Sequence, residues 1–255
     1  MAQYDNRYVQ PGTTARQTGA VVDEGLRSYM LGVYNYMAGG IALSGLTAYL
    51  TVMAATGGAT GAAGRAALTP FGQMLYTSPL RWVVMLAPIA LVFFLSFRVY
   101  KMSVPATQLS FWLFAAVMGV SLSSLFLVFQ LGSIVQVFFV TAAAFAGLSL
   151  FGYTTKKDLS GWGSFLIMGV IGILIASVVN IWLASSALQF AVSVLGVLIF
   201  AGLTAYDTQQ IKDGYYQIAG DATLMAKGAI MGALNLYLDF INMFTSMLSL
   251  FGSRD

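Results

Sequence analysis

The chain contains no cysteine and no histidine. The first absence excludes disulfides, thiolate metal sites and cysteine nucleophiles. The second removes the usual zinc ligand, the usual general base and the usual neutral-pH switch. Any response to pH must therefore come from carboxyl groups. Charge is also scarce: 8% of the 255 residues are charged, against roughly 25% in an average soluble domain. No polar stretch is long enough to separate two cores, so one folded domain is expected.

Hydrophobic sequence fills the chain instead, at 58% of residues. Apolar runs of about 18 residues or more recur, the signature of membrane-spanning helices. Seven are predicted: Tyr29–Ala54, Leu80–Phe97, Ala106–Phe129, Ser133–Tyr153, Trp162–Leu183, Leu188–Ile211 and Gly228–Phe251. The expected fold is an all-α integral membrane protein, a seven-transmembrane-helix bundle over residues 29–255. Residues 1–28 are polar and mixed in charge, with Pro11-Gly12, and read as a disordered tail. They lack the apolar core of a signal peptide. The longest connection, Ala55–Pro79, is rich in Gly, Ala and Thr and has room for a short surface segment. Pro88 is expected to kink the second helix. Trp82, Trp112, Trp162 and Trp182 lie near helix ends, where indole anchors at the membrane interface.

Lysine and arginine set the expected orientation. With the N-terminus inside, the cytoplasmic segments hold Arg7, Arg16, Arg27, Arg98, Lys101, Lys156, Lys157, Lys212 and Lys227, and the other side only Arg65, Arg81 and Arg254. This bias predicts an inside N-terminus and an outside C-terminus. The net charge of +3 follows from topology. It gives no support for nucleic-acid binding, since the basic residues are spread over short loops.

Two acidic residues lie deep within apolar stretches, Asp207 in Leu198–Ile211 and Asp239 in Leu234–Phe251. A carboxylate inside a bilayer costs several kcal/mol by most scales (~3 at the low end) and marks a functional site by default. Two on consecutive spans suggest one shared site. On the last span Asn235, Asp239, Asn242, Ser246 and Ser249 share one helical face, which should point into the bundle. The opposite face, with Leu236, Phe240 and Met243, is left for lipid or apolar neighbours. If the last helix enters the membrane at Gly228, Asp239 lies about 16 Å in, too deep to meet Asp207 at about 7 Å; entry near Leu234 brings them level. Arg98, ending the second span, is placed to snorkel toward that level as a counter-charge, or to serve as a plain positive-inside anchor.

Two carboxylates in contact cannot easily both ionise, so one pKa rises and the pair shares a proton. Deprotonated, they offer oxygen ligands to a hard cation such as calcium, with Asn235, Asn242 and backbone carbonyls available to add more. Two carboxylates suit passage better than storage.

The segments FAGLTAYDTQ (Phe200–Gln209), LYLDFIN (Leu236–Asn242) and GYTTKKDLS (Gly152–Ser160) resemble the last two spans, and the loop after the fourth, of the Bax inhibitor-1 family, also known as the transmembrane Bax inhibitor motif family. The resemblance runs from about Gly25 to Arg254 and is strongest to the bacterial inner-membrane branch. It implies a pH-sensitive calcium leak through the membrane, with Asp207 and Asp239 as proton sensor and tentative calcium ligands, and Arg98 as a latch on them. Tyr206, Thr204, Asn235 and Asn242 are the residues expected to line the path or support the pair. The implied partners are calcium ions, protons and the bilayer. No enzyme activity, cofactor or nucleic acid is expected.

Rival functions must use the same aspartates. An intramembrane aspartyl protease would accept Tyr206-Asp207 as its first element, but Leu236-Tyr237-Leu238 precedes Asp239 without glycine, and no proline follows. A retinal protein needs a lysine inside a late span, which the predicted spans lack. A non-conducting interaction or regulatory protein remains the plain alternative.

Overall fold

The structure, a computed structural model, describes residues 12–59 and 67–254. Its helices are α1 (Gly12–Thr56), α2 (Pro70–Tyr76), α3 (Leu80–Arg98), α4 (Val104–Leu122), the single turn α5 (Leu125–Val128), α6 (Leu131–Thr154), α7 (Ser160–Leu183), α8 (Ser186–Ile218) and α9 (Ala222–Phe251). Seven are long and apolar enough to cross a membrane: α1, α3, α4 continued by α5, and α6 to α9. Among the described residues the only strand-like pairing is an isolated antiparallel bridge between Phe129 and Arg254.

The last helix is the centre of the bundle. In its most apolar stretch 61% of residues are buried, against 6% in α7. It packs against α8, α1, α6 and α4, with α3 outside on α4 and α7 outside on α8. Leu236, Phe240 and Met243, on the face left for lipid or apolar neighbours, are buried against protein. Of the polar stripe, Asp239 is buried and Asn235 exposed, while Ser246 lies against Gly196 of α8. Lipid tails supply no hydrophobic drive for helices to associate, so close packing and interhelical hydrogen bonds must do so. Two glycines show the requirement. A side chain at Gly152 would strike the Ala205 carbonyl of α8, and one at Gly119 would strike the Ser44 carbonyl of α1. In the interior, the Ser44 hydroxyl meets the Tyr237 hydroxyl at 2.6 Å and donates to the Ala115 carbonyl at 2.6 Å, tying α1, α9 and α4 together.

Three boundaries differ from the sequence expectation. Helix α1 is already helical before Tyr29, because Leu26, Met30 and Val33 continue its buried stripe; residues 1–11 of the expected tail lie outside the described residues. The third span breaks at Ser123-Ser124. There the Ser123 hydroxyl turns back to the Val120 carbonyl and meets Tyr76 of α2 at 2.7 Å, as serine does when it competes with its own helix. Finally, α8 runs past Lys212 to Ile218, and α9 starts before both expected entries. Gly220 makes the turn at φ 106, and Asp221 caps α9 by accepting from the amides of Thr223 and Leu224 at 2.8 and 2.9 Å.

One end of the bundle gathers the α3–α4 turn, the α6–α7 loop and the α8–α9 hairpin, with Arg98, Lys101, Lys156, Lys157 and Lys212. This is the basic end. Tyr29 of α1 packs on Tyr215 of α8 there, with ring centroids 5.3 Å apart. At the opposite end the Gln130 amide donates to the Ser253 carbonyl at 3.0 Å, and Arg254 lies over the Phe129 ring, fixing the residues after α9 to the start of α6.

A buried carboxyl pair between the last two helices

Asp207 of α8 and Asp239 of α9 lie within hydrogen-bonding reach of each other. Their meeting does not require α9 to start late: both helices extend beyond the expected ends, and the hairpin carries them to the basic end together. Asp239 is 4% exposed, and its Oδ2 accepts from no donor among the described residues. A buried acceptor left without a donor is costly.

Asp207 is half-buried and opens into a cleft of about 300 Å³ at the basic end, lined also by Tyr100, Gln210, Lys227, Met231 and Asn235. Lys227, Met231 and Asn235 recur every fourth residue along α9 and so form one wall of this cleft. Lys227 is 7% exposed, and its ammonium donates to the Tyr100 carbonyl at 3.4 Å. Sequence reading gave Lys227 only a topological role. The signal was the Gly220-Asp221 turn and cap, which starts α9 early enough to bring Lys227 inside the bundle.

Arg98 is the last residue of α3. It is exposed there, and among the described residues no ion pair links it to either carboxyl. Asn235 is exposed but shares the cleft with Asp207. Asn242 donates to the Leu238 carbonyl of its own helix at 2.8 Å, and Thr204 to that of Phe200 at 2.8 Å. The Tyr206 ring lies against Gly163 of α7. Among the described residues no cluster of three or more acidic side chains gathers as for a resident metal; the pair offers two carboxyls alone.

Residues flanking Asp207 fix α8 to its neighbours. Thr208 meets Ser149 of α6 at 2.9 Å, and Ser149 meets Tyr34 of α1 at 2.7 Å. Gln209, given no role of its own in the sequence analysis, is buried. It donates to the Lys157 carbonyl at 2.9 Å and accepts from the Leu159 amide at 2.8 Å. The Lys212 ammonium donates to the Tyr153 carbonyl at 2.9 Å. The α6–α7 loop is thus strapped to the helix that carries Asp207. Within that loop the amide and hydroxyl of Ser160 hold the Asp158 carboxyl below its usual range.

Six membrane-length helices arranged round a seventh, with two carboxyls in contact inside, define a multi-pass membrane protein with an inward acidic pair. Residues 26–255 match the family described as "Inhibitor of apoptosis-promoting Bax1". The chain belongs to that family, the Bax inhibitor-1 family. It is 44% identical over 232 residues to the "Inner membrane protein YbhL" of Escherichia coli, covering 90% of this chain and 93% of that one. It is 45% identical over 249 residues to a Caulobacter vibrioides protein, covering 98% of each. A "membrane protein" of Streptococcus pyogenes is 32% identical over 239 residues, covering 91% of this chain and 96% of that one. The protein is a multi-pass protein of the bacterial inner membrane.

Proposed function

We propose that this chain is a pH-sensitive leak for calcium, with Asp207 and Asp239 as its proton-operated gate and the basic end facing the cytoplasm. The observation that carries this reading is the contact between two carboxyls inside the bundle, one of which opens into a cleft while the other is sealed. Such a pair carries different charge on either side of its titration, and charge at the end of a cleft decides whether a hard cation is held there. The opposite direction is closed. Beyond Asp239, Phe240, Met243, Phe244 and Leu248 are all buried, which supports a closed path at that end. The burial of Asp239 weighs against an aspartyl protease, in which both carboxyls must reach water and a peptide carbonyl.

Purified protein in liposomes tests the reading by calcium flux across a pH series, with Asp207→Asn and Asp239→Asn alongside. The expected result is a pH-dependent flux whose dependence changes in both variants. Absence of flux at every pH would favour the non-conducting interaction protein instead.

A further inference from the structure

A lateral seam runs between α1 and α6, which stand apart while α9 closes the floor between them. Three cavities of about 390, 430 and 100 Å³ follow it. The first and second share Tyr34 and Phe145, and the second and third share Ile41, Gly45, Phe138 and Phe240. They lie end to end along the seam, each neighbouring pair sharing lining side chains. Its rim residues Leu31 and Leu150 are exposed on the outside of the bundle, so it opens sideways to lipid.

The seam is apolar along its length and polar at one end. On its floor the Tyr34 hydroxyl of α1 and the Ser149 hydroxyl of α6 meet across it at 2.7 Å. Arg27 lines its basic end and is the last charged residue before the apolar run of α1, which places it at headgroup depth. Lys212 stands beside the same mouth, donating to the carbonyl of Tyr153, itself a lining residue. Small residues, Ala38, Ala42 and Gly45, keep the α1 wall low. A side chain at Gly45 would meet nothing within 4 Å.

We propose that this seam binds one anionic phospholipid, its phosphate beside Arg27 and one acyl chain laid along α1 past Gly45 against Phe240. Charge complementarity at the mouth selects the head, and the length of the groove takes the chain. The lipid contacts Phe240, next to Asp239, yet the seam is separate from the cleft at Asp207, so the assignment stands whether or not the protein conducts calcium.

The test is native mass spectrometry of the full chain released from mild detergent with phosphatidylglycerol or phosphatidylcholine of identical acyl chains. The wild type is expected to retain phosphatidylglycerol about fivefold more than phosphatidylcholine, the preference one basic side chain provides near a membrane surface. Arg27→Gln should bring that ratio toward one. Gly45→Leu should lower retention of both lipids while leaving helicity unchanged, and Ala42→Leu is the second filling variant should the first fail to fold. Equal retention of the two lipids by the wild type, an unchanged ratio in Arg27→Gln, or unchanged retention in the folded filling variants would each overturn the proposal. So would a dimer whose second copy occupies the seam.

Discussion

Lys227 of α9 and Asp207 of α8 line one cleft of about 300 Å³ from neighbouring helices at the basic end. A cation approaching the carboxyl pair from that end meets the ammonium as well as the carboxylate. Under the leak reading, Lys227→Gln, which keeps a donor for the Tyr100 carbonyl, should raise calcium flux about fivefold, since removing one nearby charge relieves on the order of 1 kcal/mol of repulsion. Flux of a monovalent cation should rise less, because the repulsion scales with the ion's charge. Equal flux in wild type and variant would place the permeation path elsewhere.

The contact between Asp207 and Asp239 predicts coupling. Deleting either charge relieves repulsion on the remaining carboxyl, so the pH midpoint of flux should move to lower pH in each single Asn variant. The double variant should lose the transition altogether, because groups in contact act non-additively. Two independent, additive shifts would mean that the carboxyls do not act as one site.

The Ser44–Tyr237 bond predicts an asymmetry in stability. Tyr237→Phe removes one interhelical hydrogen bond and leaves Ser44 its bond to Ala115; such bonds in membranes average about 0.6 kcal/mol. Ser44→Ala instead strands the hydroxyl of a Tyr237 that is 0% exposed, at about 1–3 kcal/mol. Thermal unfolding in detergent should therefore show the smaller loss for the phenylalanine variant. The reverse order would mean that water replaces the serine.

The α6–α7 loop gives a local prediction. Gln209→Ala should speed amide exchange at Leu159, whose donor bond to α8 it deletes, and leave the middle of α6 unchanged. Asp158 should titrate below the ordinary aspartate range, since Ser160 favours the charged form. A depressed folded pKa means that its support of the α7 start is present above the unfolded value and lost as pH falls through the folded one. An NMR titration of the Asp158 carboxyl checks the sign, and a midpoint above that of free aspartate would contradict the bond to Ser160.

The spans and the acidic pair were legible because both follow from transfer free energy: apolar runs enter lipid, and a charge within one needs a reason to be there. The centrality of α9 was not. Among the seven spans it is the least apolar and the most buried, whereas α7 is the most apolar and the least buried. Hydropathy reports the preference for lipid, and the helix shielded from lipid by its neighbours is the one free to carry Asn, Ser and Asp. The ends of α8 and α9 were less legible for the same reason. A helix end set from where apolar residues stop overlooks a hairpin that stays helical through Lys212–Ile218 and Ala222–Lys227, which only the glycine turn and the Asp221 cap disclose. The Ser123-Ser124 break was hidden by the strong apolar run on either side of it.

The order of synthesis gives the central helix a further consequence. It is the last of the seven to leave the ribosome, so six spans must wait in the bilayer without the core they will enclose. It must itself enter carrying Asp239, and a carboxylate costs roughly 3 kcal/mol at mid-membrane on insertion scales. The preceding α8 brings the partner carboxyl and joins α9 by a three-residue turn, Ala219–Asp221, so the two can enter as a hairpin with the charges already facing protein. Biogenesis of this protein should accordingly be most sensitive to its final segment, and a chain halted before α9 should be a substrate for membrane proteases rather than a smaller bundle.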